Sequence, residues 1–166
     1  MANWAKSSIL DTSPGSTDLM SVTLKRDYRL AVPAEVRRAI GWLKEATSKL
    51  DVLFELNEAG RVRVLDLAAA LPRLQEAMAA SPEDMEDLRL IYSRGSFIRD
   101  RLDLSDPVVP HLGVMAEVSQ EAGATVFVRA YAGDIEIWSD AFRGAQVARA
   151  IGRQQGVIDT LREGGR

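Results

Sequence analysis

The chain has 166 residues, a formal charge of −3, no cysteine and one histidine. That length can bury roughly 70% of its unfolded surface, so a core forms without covalent staples. The missing cysteines exclude disulfides, a thiol nucleophile and thiolate metal sites, and His111 alone cannot build a His-based metal site unless two subunits contribute one each.

Met1 to about Met20 reads as a mobile arm, because TSPGST at 12–17 is polar and turn-rich. Val22, Leu24, Tyr28, Leu30 and Val32 alternate with Thr23, Lys25, Asp27 and Arg29, a period of two that predicts strands near 21–25 and 28–32. Pro33 suits the first position of a helix over 33–41 and Gly41 its end. Within it Val36 and Ile40 share an inner face, while Arg37 and Arg38 face outward. A hairpin follows, Asp51–Leu56 and Arg61–Leu65, turning at Asn57-Glu58-Ala59-Gly60. Leu67, Leu71, Leu74 and Met78 mark a helix over 66–80 that Pro72 would end or bend. Ser81-Pro82-Glu83-Asp84 starts another, reaching about Tyr92. Next come a strand at 96–102, a weakly patterned stretch through Pro107 and Pro110, a helix at 114–122 and hairpin strands at 125–131 and 135–138. A closing helix begins after Ser139 or Asp140, and LREGGR at the end should fray.

No run approaches the length of a membrane span, and MANWAKSSIL lacks the apolar centre of a secretory signal, so a cytoplasmic, nucleoid-associated protein is expected. The acidic total conceals a segregated distribution. Residues 22–66 carry nine Lys/Arg against seven Asp/Glu, residues 97–140 carry three against eight, and residues 22–44 carry six against two. Local fields, rather than net charge, decide where a phosphate backbone docks.

Two short segments recur. AEVRRAIG (Ala34 to Gly41) returns as AEVSQEAG (Ala116 to Gly123), and AGRVRVL (Ala59 to Leu65) returns as AGDIEIW (Ala132 to Trp138). Two matches in the same order argue for a duplication. The later copy has lost its cations: Ser119 and Gln120 stand for Arg37 and Arg38, and Asp134 and Glu136 for Arg61 and Arg63.

VTLKRDYRLAVPAEVRRAIG followed by DVLFELNEAGRVRVLD resembles the AbrB/SpoVT-type swapped-hairpin domain. The duplication, RLIYSRG (Arg89 to Gly95) and IEIWSDAF (Ile135 to Phe142) are similar to the MraZ family of bacterial transcription factors in particular. The resemblance spans roughly 22–150. It implies an α+β fold of two tandem swapped-hairpin-like β-barrel units, DNA binding without a cofactor, and ring-like homo-oligomers. It also implies that a basic turn and the following helix contact DNA, at the positions of Lys25, Arg26, Arg29, Arg37 and Arg38. One departure stands out. The family turn places Gly before the strand Arg, whereas this chain has Tyr28, a residue that tolerates positive φ poorly.

The division that follows is an arm (1–20), a first, DNA-binding unit (21–66), connecting helices (67–95), a degenerate second unit (96–140) and a C-terminal helix and tail (141–166). Lys25, Arg26 and Arg29 put three cations within five residues, next to Arg37 and Arg38. Each phosphate contact would add about −0.9 to the log–log salt slope, although some of these arginines could read guanine edges instead. Arg61 and Arg63 are expected on a solvent-facing strand, with Asp134 and Glu136 solvated or paired with them in a neighbouring subunit. Ile135, Ile137 and Trp138 belong to the core, and His111 to a loop. Asp100, Asp103 and Asp106 lack the glycine and closing glutamate of a calcium loop. Nothing patterned for catalysis is found, so no enzyme is expected. Two readings stay open: a homo-oligomeric DNA-binding transcriptional regulator, and a protein-interaction module, as in an antitoxin or co-regulator, whose acidic second unit binds a basic partner.

Overall fold

The computed structural model describes residues 14–25, 30–44, 49–80, 83, 86–87, 97–102 and 123–164. Six antiparallel strands form one sheet: β1 (Met20–Thr23), β2 (Leu50–Glu58), β3 (Arg61–Asp66), β4 (Phe97–Leu102), β5 (Thr125–Tyr131) and β6 (Asp134–Trp138). Among the described residues five helices accompany it: α1 (Ala34–Ala39), α2 (Gly41–Lys44), α3 (Leu67–Ala80), α4 (Asp140–Arg153) and α5 (Gln155–Gly164). The fold class is therefore α+β.

The strand order is β1-β5-β6-β3-β2-β4. Exchanging the repeat mates, β1 with β4, β2 with β5 and β3 with β6, returns the same order read backwards. The strand order thus has an internal two-fold pseudosymmetry. Each repeat lends its first strand to the other: β1 pairs with β5, and β4 pairs with β2. The centre is the β3–β6 ladder, with Val62 opposite Ile137, Arg63 opposite Glu136 and Val64 opposite Ile135. Arg63 and Glu136 hold the same place in the two repeats, so the pseudodyad passes between them.

Alternation builds the core. Val52, Phe54, Val62, Val64, Val126, Val128, Ile135 and Ile137 point to one side of the sheet, where Leu24, Leu30, Val32, Val36, Ile40 and Leu43 cover them. On the other side Leu53 and Leu65 pack with Leu67 and Ala70 of α3. Trp138 meets Phe142 of α4 edge to face at 5.1 Å. Ile135, Ile137 and Trp138 are buried as expected.

The two Ala-Gly turns differ. Ala132 (φ 50) and Gly133 (φ 87) both adopt positive φ, the pattern of a type I′ turn, which suits the twist of the flanking strands. In the first hairpin Gly60 (φ 83) has positive φ and Ala59 does not, and the β2–β3 register shifts between Glu55 and Glu58.

Several expectations need correction. Leu30 to Val32 joins no ladder, yet Leu30 and Val32 are buried. The period of two marks which side chains turn inward, and packing over the sheet satisfies that without strand pairing. Gly41 does not stop the helix; α1 ends at Ala39, the Ile40 that caps it has an extended backbone (φ −105, ψ 112), and Gly41 opens α2. Pro72 lies inside α3 without ending it. Residues 14–20 are not a free arm. The Gly133 N–H donates to the Gly15 carbonyl (3.0 Å), the Thr17 N–H donates to the Ala130 carbonyl (2.9 Å), and the Ala130 N–H donates to Thr17 Oγ1 (3.0 Å). The closing helix is two helices split at Gln154, and the second runs to Gly164 instead of fraying at Leu161. Residues 1–13, most of the helix expected from Ser81, the stretch 103–113 with His111, and the helix expected at 114–122 lie outside the described residues.

Candidate nucleic-acid interface

The first half of the chain holds its cations through buried neighbours. Leu24 is buried, its N–H donates to the Ala124 carbonyl (2.9 Å), and its carbonyl accepts from the Gly123 N–H (3.0 Å). The end of β1 is thereby pinned to the second repeat, and Lys25 is exposed just beyond it. In α1, Val36 and, immediately after it, Ile40 are fully buried. That orientation leaves Arg38 exposed and Arg37 half-buried, both in the last turn, where the helix dipole favours cations. α1 packs on β5, the strand that also pairs with β1. Lys25, Arg37 and Arg38 are thus carried by elements that share one support. Among the described residues none of the three enters an ion pair. Arg26 and Arg29 lie outside the described residues.

Arg61 and Arg63 behave differently from the solvent-facing residues expected of them. They lie half-buried on the sheet face that carries α3 and α4, inside a network that joins the two repeats. Arg63 reaches Asp134 at 2.8 Å and Glu55 at 3.3 Å. Arg61 reaches Glu136 at 3.4 Å and Glu58 at 3.2 Å. On the far side of Glu136, Arg129 Nε donates to Oε1 at 2.7 Å. The pairs of Asp134 and Glu136 with Arg61 and Arg63 therefore form within one chain. Ladder registers place Glu55, Arg63, Glu136 and Arg129 side by side on β2, β3, β6 and β5, a row of alternating sign.

Burial decides the electrostatics of this row. Glu136 is only 2% exposed, so its two arginines replace the water it has lost. For Asp134, burial pushes the carboxyl pKa above its ordinary value and outweighs the opposing pull of Arg63. For Arg63, burial works against the cation, but Glu55 and Asp134 more than offset it and hold its pKa above the ordinary range.

Two residues not singled out in the sequence prove important. Arg129 stacks on Tyr131 at 4.4 Å and Trp138 at 4.6 Å while holding Glu136. Its position directly across from Glu136 in the second hairpin was the available signal. Trp42 of α2 donates its indole N–H to the Gly133 carbonyl at 2.8 Å, tying the first unit to the turn of the second; nothing in local sequence points to that contact. The Trp138 indole N–H is buried without a partner.

Among the described residues, no cluster of three acidic or histidine side chains is arranged to hold a metal ion. No helix there is long and apolar enough to cross a membrane. Fold and site together define a pseudosymmetric α+β protein with free cations at the β1/α1 end and a charge network at its centre. No family model and no curated protein matches the chain.

Proposed function

We propose that this protein is a homo-oligomeric, DNA-binding regulator of transcription that acts without a cofactor and is not an enzyme. The observation that carries this reading is the division of its cations. Arg61, Arg63 and Arg129 are occupied by carboxylates, whereas Lys25, Arg37 and Arg38 are free for phosphates and flank the basic segment containing Arg26 and Arg29. Contacts from such residues position a duplex, and base-edge contacts among them would select its sequence. The exchange of first strands between repeats and the palindromic strand order support a MraZ-like pair of swapped-hairpin units. Several such faces on one oligomer would bind repeated boxes with avidity.

The competing reading, an acidic hairpin that captures a basic protein, loses force because Asp134 and Glu136 already hold arginines of their own chain. The test is duplex binding at several salt concentrations, comparing the parent with an Arg29→Ala/Arg37→Ala/Arg38→Ala variant. Loss of affinity with a salt slope shallower by about 2 to 3 is expected. Equal affinity and slope in a folded variant would refute the assignment.

A further inference from the structure

The helix that carries Arg37 and Arg38 has little support of its own. α1 has six residues and α2 four, both well below the roughly 12 that a helix needs to persist in water. No side chain caps the start of α1. Val36, Ile40 and Leu43 anchor the pair in the core, but apolar burial is non-directional. The direction comes from Trp42. Among the described residues its indole N–H makes the one side-chain hydrogen bond of either helix, to the Gly133 carbonyl at 2.8 Å.

Both ends of that bond are tied to something. The Leu43 and Lys44 N–H groups donate to the Ile40 carbonyl (3.1 and 2.9 Å), so α2 is bonded to the residue that caps α1. Arg38 lies four residues before Trp42. On the other side, Gly133 sits in the β5–β6 turn, and its N–H donates to the Gly15 carbonyl (3.0 Å). The approach is close: a Cβ on Gly15 would lie 2.9 Å from the Gly133 nitrogen. The indole packs partly on the core, yet a cavity of about 250 Å³ opens beside it, lined also by Arg63, Arg73 and Ala132. Packing therefore restrains the ring incompletely, and the hydrogen bond completes the restraint.

We infer that Trp42 is a positioning residue: its bond to Gly133 sets where α1 presents Arg37 and Arg38. The second repeat, which has lost the matching cations, thereby governs the cationic face of the first. The positioning needs no DNA; its effect on affinity rests on the reading above. Removing the N–H lowers the fraction of molecules with the face assembled, and apparent affinity falls by that fraction. One hydrogen bond sets the scale at about fivefold.

Trp42→Phe keeps an aromatic ring and removes the donor. Duplex affinity should fall about fivefold at every salt concentration while the salt slope stays that of the parent, because the bound state contacts the same phosphates. In an Arg37→Ala/Arg38→Ala background the same change should have no effect, since α1 then has no cation to position. A merely structural role would weaken both backgrounds alike. Hydrogen exchange without DNA gives a second readout. The Arg37, Leu43 and Lys44 amides should exchange about fivefold faster in Trp42→Phe. The Arg143 and Gln154 amides of α4, bonded to the Ser139 and Ala150 carbonyls, should keep the parent's rates. Parent-like duplex affinity in Trp42→Phe, equal loss in both backgrounds, or parent-like exchange in α1 and α2 would overturn the inference. A parent that binds no duplex would refute the function proposed above, and exchange alone would then decide whether Trp42 holds α1.

Discussion

Glu136 is the residue on which the two halves converge. It sits in a mid-strand position of β6, 2% exposed, between Arg61 and Arg129. A buried carboxylate is tolerated only with such partners, and removing it leaves Arg129 without its carboxylate and Arg61 with only the more exposed Glu58. Glu136→Ala is expected to cost about 3 kcal/mol, read as a fall in the urea midpoint. Its neighbour Asp134 responds to pH in a defined direction. Burial favours the protonated form of Asp134 in the fold, so its contribution is most favourable below the ordinary value of 3.8 and is lost as pH rises through the raised folded value. The stability of the parent relative to Asp134→Asn should therefore increase as pH is lowered from 7 toward 4, measured by urea unfolding at each pH. Arg63 adds no pH dependence in that window, because its pKa is held above the ordinary arginine range.

Among the elements, glycines in superficially similar roles obey different constraints. Gly60 has φ +83, and a Cβ there would lie 2.5 Å from Ser139 Oγ and 3.1 Å from Phe142 Cβ. The turn needs both the left-handed backbone and the close approach of the segment leading into α4, where Ser139 caps the helix by accepting from the Phe142 N–H. Gly41 opens α2 with open space around it and no positive φ. Opposite outcomes are expected from one substitution. Gly60→Ala should destabilise by more than about 1 kcal/mol, through strain and contact together. Gly41→Ala should stabilise by about 0.5 kcal/mol, through the lower entropy of the unfolded chain. Thermal melts of the two variants beside the parent check both.

For the whole molecule, the charge reversal between repeats determines which halves can pair. Two first units meeting across the dyad would bring Arg63 against Arg63, and two second units Glu136 against Glu136. Only the mixed pairing yields the row Glu55, Arg63, Glu136, Arg129 with alternating sign. Like charges directly opposite on a sheet destabilise it, so the reversal favours the union of unlike halves. Arg63→Glu gathers that residue with Glu55, Asp134 and Glu136, and Glu136→Arg gathers four arginines. Each single change should be strongly destabilising. The double change should fall short of their sum by about 1 to 2 kcal/mol, the coupling expected of residues in contact. Strict additivity in urea unfolding would mean that the row contributes nothing to the joining of the halves.

The sequence by itself determined the strands of each hairpin and their pairing within it. Alternation in DVLFEL, RVRVL and TVFVRAY, with Ala-Gly between strands, is local information, because side-chain direction repeats every two residues whatever the sheet becomes. The repeated AGRVRVL and AGDIEIW likewise point to a duplication from the sequence, and spacing picks out Lys25, Arg37 and Arg38 together with Arg26 and Arg29. Only the tertiary structure decided that the two hairpins lie edge to edge in one sheet, that each repeat supplies the other's outer strand, and that Arg61 and Arg63 spend their charge on Asp134 and Glu136. Those contacts join residues from about forty to more than one hundred positions apart. Their sign and burial depend on which strands meet, and no local period carries that information.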